Sequence, residues 1–177
     1  MTIAFVMAAA ALLLTVIAAF TDLRTARIPG WLTWPVIVVG PSVWGLVGGR
    51  WPLAYALISS AACGLVPLAL YAFGAMGGGD VKLAAALGGL VGARLGLEIL
   101  LVGFTVVALV AVGGIVWRGE LGATLLRAIG NVFRSRRAPD RAPESVLPEP
   151  LRRRVRFAPS MLVGALVALL PELLLRG

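Results

Sequence analysis

In a chain of 177 residues, 60% are hydrophobic and only 14% are charged, a balance that leaves too little polar surface to cover an ordinary soluble domain. The net charge of +8 would suggest nucleic acid in a soluble protein, but the basic residues collect in one loop. Anionic membrane lipids and topology account for them there, and no nucleic-acid partner is expected. With no histidine and one cysteine, Cys63, the chain excludes a Ser-His-Asp triad, a Cys-His pair, a His-ligated zinc site, an intrachain disulfide and a CxxC metal site. Cys63 lies in an apolar run and reads as a small buried filler, and no metal or cofactor is expected.

The first apolar run, Thr2 to Thr21, has no internal charge and reaches the roughly 20 residues a helix needs to cross about 30 Å of hydrocarbon. No basic stretch precedes it, and it exceeds a usual signal-peptide core, so residues 3–21 read as a transmembrane helix. Asp22 follows, then a short loop punctuated by Pro29-Gly30. The second span covers 31–47, with Trp31 and Trp34 at one interface, Trp44 nearer the other, and Pro35 and Pro41 expected to bend it. A turn at Gly48-Gly49-Arg50 leads to the third span, 52–73, which ends in the glycine-rich stretch before Asp80.

A short run rich in Ala and Gly, 81–93, is expected to pack inside the bundle, with Gly88, Gly92 and Gly96 offering one smooth face. The fifth span covers 99–117. Residues 119–157 change character, being rich in Arg and Pro; they read as a basic cytoplasmic loop in which 121–133 forms a helix along the membrane surface. The last span covers 158–175. Open sheet edges are not tolerated in lipid and no alternating strand pattern occurs, so the expected fold is an all-α integral membrane protein. It has about six transmembrane helices and a Gly-rich break before the fourth. With the basic loop inside, thirteen Lys and Arg lie on the inner side against Arg50, Arg94 and Arg176 outside. This places Asp22 and Asp80 towards the cytoplasm and both termini outside.

Asp22 and Asp80 are the only carboxylates before Glu98, and each falls where an apolar segment meets the same side. A carboxylate in a membrane segment costs about 2.5 to 3.5 kcal/mol on insertion scales, so it has a partner or a task. Two such groups close together share one proton and titrate apart, leaving an acid and a base that activate water against a peptide carbonyl. Gly77, Gly78 and Gly79 open the backbone beside Asp80 and let a substrate strand approach. Each residue also has a plainer reading. Asp80 makes a good helix N-cap, Asp22 beside Arg24 and Arg27 reads as a solvated interfacial acid, and the glycines serve helix packing. Lys82, the sole lysine, either biases the pair electrostatically or meets lipid phosphate, the latter being favoured.

Two segments together resemble the type IV prepilin peptidases. Gly77-Gly78-Gly79-Asp80-Val81-Lys82 resembles their GxGD motif, and Asp22-Leu23-Arg24-Thr25-Ala26-Arg27-Ile28-Pro29 resembles their first motif, an aspartate followed by basic residues and Ile-Pro. Phe157-Ala158-Pro159-Ser160 is similar to the Pro-containing entry to their last helix. The resemblance implies a membrane aspartic endopeptidase of the bacterial inner (plasma) membrane that cuts the leader from type IV prepilins or pseudopilins. Asp22 and Asp80 would be its catalytic dyad, and Gly77, Gly78, Gly79, Lys82, Ile28 and Pro29 its substrate-binding loops. Where members of the family often have Asn or Asp after Ile-Pro, this chain has Gly30, and it lacks the paired CxxC motifs of the bifunctional members. It therefore looks like the short, peptidase-only form of Flp or tight-adherence pilus systems, without N-methyltransferase activity. The residues by themselves also admit a small proton- or cation-coupled transporter using the two aspartates, or a non-catalytic pilus or secretion assembly protein.

Overall fold

The computed structural model describes residues 3–25, 28–117 and 157–176. The surface helix expected over 121–133, and the basic loop up to residue 156, lie outside the described residues. The described chain is helical, with α1 (Ile3–Thr25), α2 (Gly30–Gly48), α3 (Arg50–Ala72), α4 (Gly78–Trp117) and α5 (Phe157–Arg176). All five contain stretches long and apolar enough to cross a membrane, and their outward faces carry exposed Leu13, Val38, Leu46, Ile58 and Leu101. The chain is thus a multi-pass membrane protein, with lipid taking the place of water against those faces.

Five hydrogen-bonded helices make six rods, because α4 breaks in its middle. A straight helix of its 40 residues would run about 60 Å, twice the hydrocarbon thickness. Gly92 interrupts it with φ 83° and ψ 171°, a backbone conformation that favours glycine. The two arms, 78–91 and 93–117, fold back on each other. Gly88 and Gly96 would stand about 12 Å apart in an unbroken helix, yet a Cβ placed on Gly96 would lie 3.2 Å from the Gly88 Cα. The expectation of one smooth face through Gly88, Gly92 and Gly96 is therefore corrected. Gly92 is the turn, and Gly88 and Gly96 face each other across it.

The first arm is the centre of the bundle. Its Leu83, Ala84, Ala86 and Leu87 are fully buried. α2 runs parallel to it, with Pro41 against Gly89 and Gly40 against Leu90. α3 runs antiparallel, with Gly64 against Ala85, Cys63 against Gly88 and Tyr55 against Gly92. Small residues at these crossings let the backbones approach closely, the usual source of helix association in lipid. The second arm packs antiparallel on α5, where Gly103 meets Met161, Gly164 meets Ile99, and the Phe104 and Phe157 rings meet at a 52° tilt with centroids 4.9 Å apart.

Two helix ends explain how the chain turns. α3 stops at Gly74, whose φ of 71° closes a Schellman motif: Gly74 N–H donates to the Tyr71 carbonyl and Ala75 N–H to the Leu70 carbonyl, each at 2.9 Å. The break at Gly92 leaves the last carbonyls of the first arm short of helical donors. Trp44 Nε1 supplies one, donating to the Leu90 carbonyl at 3.0 Å. Trp44 is thus partly buried and ties α2 to α4.

Candidate active site

Asp22 lies within the last turn of α1, on the buried stripe formed by Ala11, Thr15 and Ala18 at helical spacing. Alanines above it let α1 sit close to its neighbours. The residue is only 7% exposed, and its Oδ2 oxygen is sealed from solvent. That burial removes the reading of Asp22 as a solvated interfacial acid. Its neighbour Arg24 points outward, the guanidinium 4.3 Å from the centre of the exposed Phe20 ring one turn earlier. Arg27 lies outside the described residues.

Asp80 starts from a different local device. α4 begins at Gly78, so Asp80 is its third residue, and Gly77 holds the cap position. The Asp80 carboxylate accepts from the Gly77 N–H at 3.3 Å, while the Asp80 N–H donates to the Gly77 carbonyl at 3.1 Å. This is the backward-reaching half of a capping box. The expectation of Asp80 as N-cap is corrected by three positions, and the carboxylate sits at the positive end of the helix. Gly78 and Gly79 are correspondingly helical, where an opened backbone was expected.

The glycines earn their place by contact. A Cβ on Gly79 would fall 3.0 Å from Ile28 Cβ and 3.2 Å from the Ile28 carbonyl oxygen. Only a glycine lets α4 and the Ile28-Pro29 segment lie this close. The two aspartate-bearing segments therefore meet, with Ile28 six residues after Asp22 and Gly79 immediately before Asp80. Pro29 caps α2 with extended backbone, and its carbonyl accepts from Leu32 N–H at 3.1 Å. A Cβ on Gly30 would make only ordinary contact with Trp34, so the Gly30 departure does not deform the turn.

Two aromatic residues of this end carry parts that the sequence did not reveal. Lys82 Nζ stands 5.3 Å from the Trp34 ring centre, a cation–π pairing that fastens α4 to α2. Tyr71 packs against Gly78. Trp34 was read only as an interface marker, and nothing in the spacing of Tyr71 singled it out. The far arm and α5 also reach this end, since Gly88 opposite Gly96 brings Phe104 to roughly the level of Asp80, and Phe104 packs against Phe157. Among the described residues no group of three or more His, Cys, Asp or Glu is placed to hold a metal ion.

Comparison with known proteins adds one positive finding. A family model described as the type IV leader peptidase family matches residues 8–112, a segment that contains both aspartates and both motifs. No curated protein and no solved structure matches the chain.

Proposed function

The chain belongs to the type IV leader peptidase family, and on that premise we propose that it is an aspartic endopeptidase cleaving the leader from type IV prepilins or pseudopilins, with Asp22 and Asp80 as its catalytic pair. The observation that carries this reading is the seat of Gly79 on Ile28, which joins the two segments that bear the acids. Asp80, at a helix N-terminus and accepting a main-chain N–H, is suited to carry the negative charge and take a proton from water. Asp22, buried on its helix, is suited to hold the proton that the departing amine receives. Water then attacks the scissile carbonyl, the C–N bond breaks, and the pair exchanges roles to reset. The substrate's apolar segment lies alongside the bundle in lipid, and the excess of Lys and Arg beside the site orients it to the cytoplasmic face of a bacterial inner membrane.

The test is cleavage of a type IV prepilin in membranes holding the chain, against Asp22→Asn and Asp80→Asn at equal abundance. Loss of cleavage in both variants is expected. Retained cleavage in either one would refute the pair.

A further inference from the structure

In the proposed hydrolysis each carboxylate moves one proton, and one charge is left without a partner. As water adds to the scissile carbonyl, its oxygen bonds to the carbon, a proton passes to Asp80, and the carbonyl electron pair collects on the former carbonyl oxygen. When the C–N bond breaks, that pair returns and Asp22 protonates the departing amine. Between the two steps the oxygen carries the negative charge that Asp80 has given up, in surroundings whose low dielectric makes an uncompensated charge costly. A preorganised donor aimed at such an oxygen contributes about 10²–10³ in kcat. We propose that the Tyr71 hydroxyl is that donor, an inference that rests on the peptidase reading above.

Tyr71 stands in the last turn of α3, and its carbonyl accepts the Gly74 N–H at 2.9 Å, which ties the residue into the turn that ends the helix. Its ring lies on the start of α4, where a Cβ on Gly78 would be 3.5 Å from Tyr71 Cε2 and 3.8 Å from Cζ. The Asp80 carboxylate folds back onto Gly77, accepting its N–H at 3.3 Å. Phenol and carboxylate are thus seated on consecutive residues of one backbone. The Tyr71 side chain is about half exposed, so a peptide brought to Asp80 from outside the bundle can meet it. Among the described residues its hydroxyl has no hydrogen-bond partner and keeps its proton to offer.

The other hydroxyls and cations of this end are engaged elsewhere. Thr21, Thr25, Thr33 and Thr105 each donate their hydroxyl to a carbonyl of their own helix. Ser160 is buried on α5 against Gly103 of the second arm. Arg24 lies over the exposed Phe20 ring. Lys82, two residues after Asp80 and therefore about 200° round the helix from it, lies over Trp34.

The experiment uses the full chain in detergent and measures single-turnover cleavage of a type IV prepilin across enzyme concentrations, for the parent, Tyr71→Phe and Asp80→Asn. Phenylalanine keeps the ring on Gly78 and removes only the donor, so the unfolding temperature should stay at the parental value. The maximal rate of Tyr71→Phe should fall about 10²–10³-fold with the half-saturating concentration unchanged, the pattern of an interaction made only in the transition state. A parental maximal rate in Tyr71→Phe would overturn the proposal. So would a raised half-saturating concentration at an unchanged maximal rate, which marks the hydroxyl as a ground-state contact or a headgroup anchor. If Asp80→Asn is inactive while Tyr71→Phe cleaves like the parent, the oxyanion donor falls and the peptidase reading stands. An unmodified chain that leaves the prepilins of its own source intact removes both.

Discussion

Gly96→Ala tests whether the hairpin of α4 is clamped as described. The added methyl would sit 2.7 Å from Cys63 Sγ and 3.2 Å from the Gly88 Cα, about 1 Å inside ordinary contact with the sulfur. Cys63 is fully buried and its short side chain has nowhere to swing. Overpacking of this kind costs about 1–3 kcal/mol, and 2 kcal/mol lowers the folded-to-unfolded ratio about thirtyfold. Cys63→Ala removes the obstructing sulfur, so the double variant Cys63→Ala/Gly96→Ala should be more stable than Gly96→Ala alone. Gly88→Ala behaves differently. Its methyl also meets the main-chain carbonyl of Ser59, which no side-chain truncation removes, so Cys63→Ala should leave it largely destabilised. Unfolding followed by tryptophan fluorescence in detergent, across the double-mutant cycles, measures the coupling. A Gly96→Ala protein as stable as the parent, or a Cys63→Ala change that rescues both glycine variants equally, would refute the clamp.

Asp80→Asn keeps an oxygen to accept from Gly77 N–H, so it should lose cleavage while unfolding near the parental temperature. Asp80→Ala loses the cap as well and should be destabilised by about 0.5–2 kcal/mol, read by the same unfolding assay. Gly79→Ala should slow prepilin cleavage without preventing membrane insertion, since it wedges the Ile28 segment away from α4. Trp44→Phe removes the donor to the Leu90 carbonyl and should cost about 0.5–1.5 kcal/mol in unfolding while leaving the aspartates in place.

How much of this was legible in the sequence follows from what kind of signal each feature leaves. Uncharged runs the length of a bilayer announce helices, and a glycine-rich stretch before the fourth announces a break, so the all-α membrane fold could be read directly. Isolated carboxylates in apolar sequence are conspicuous because lipid makes them costly, and that singled out Asp22 and Asp80. The direction of a break is not written in composition. Gly92 stands in a series with Gly88 and Gly96, and only packing decides which of the three takes positive φ. The contacts of Trp44 and Trp34 were hidden for a related reason. An indole at a helix end suits a headgroup region and equally suits a carbonyl or a lysine of a neighbouring helix, and the choice depends on contacts 46 and 48 residues away in sequence. Asp80 three positions past its helix cap was hidden because a capping box places its acid at the third helical position as naturally as an N-cap places one just before the first.

The short first arm of α4 sets the depth at which the proposed catalytic pair would lie. Asp80 precedes Gly92 by twelve residues, about 18 Å of helix, against about 30 Å of hydrocarbon. If the Gly92 turn, with Arg94 beside it, lies at the far headgroup boundary, Asp80 is roughly 12 Å inside the near one, and any tilt of the arm takes it deeper. On the proposed mechanism peptide hydrolysis consumes water, so hydrolysis at the aspartates requires that end to be open to water at that depth. Asp80→Cys on a Cys63→Ala background tests this, since Cys63 is the only native thiol. A small, water-soluble methanethiosulfonate should modify residue 80 from the cytoplasmic side in membranes, while a cysteine at the lipid-facing position 101 should remain unmodified. An inert residue 80 would mean that water does not reach the carboxylate in the resting bundle, and the placement of hydrolysis between Asp22 and Asp80 would then need a separate opening step.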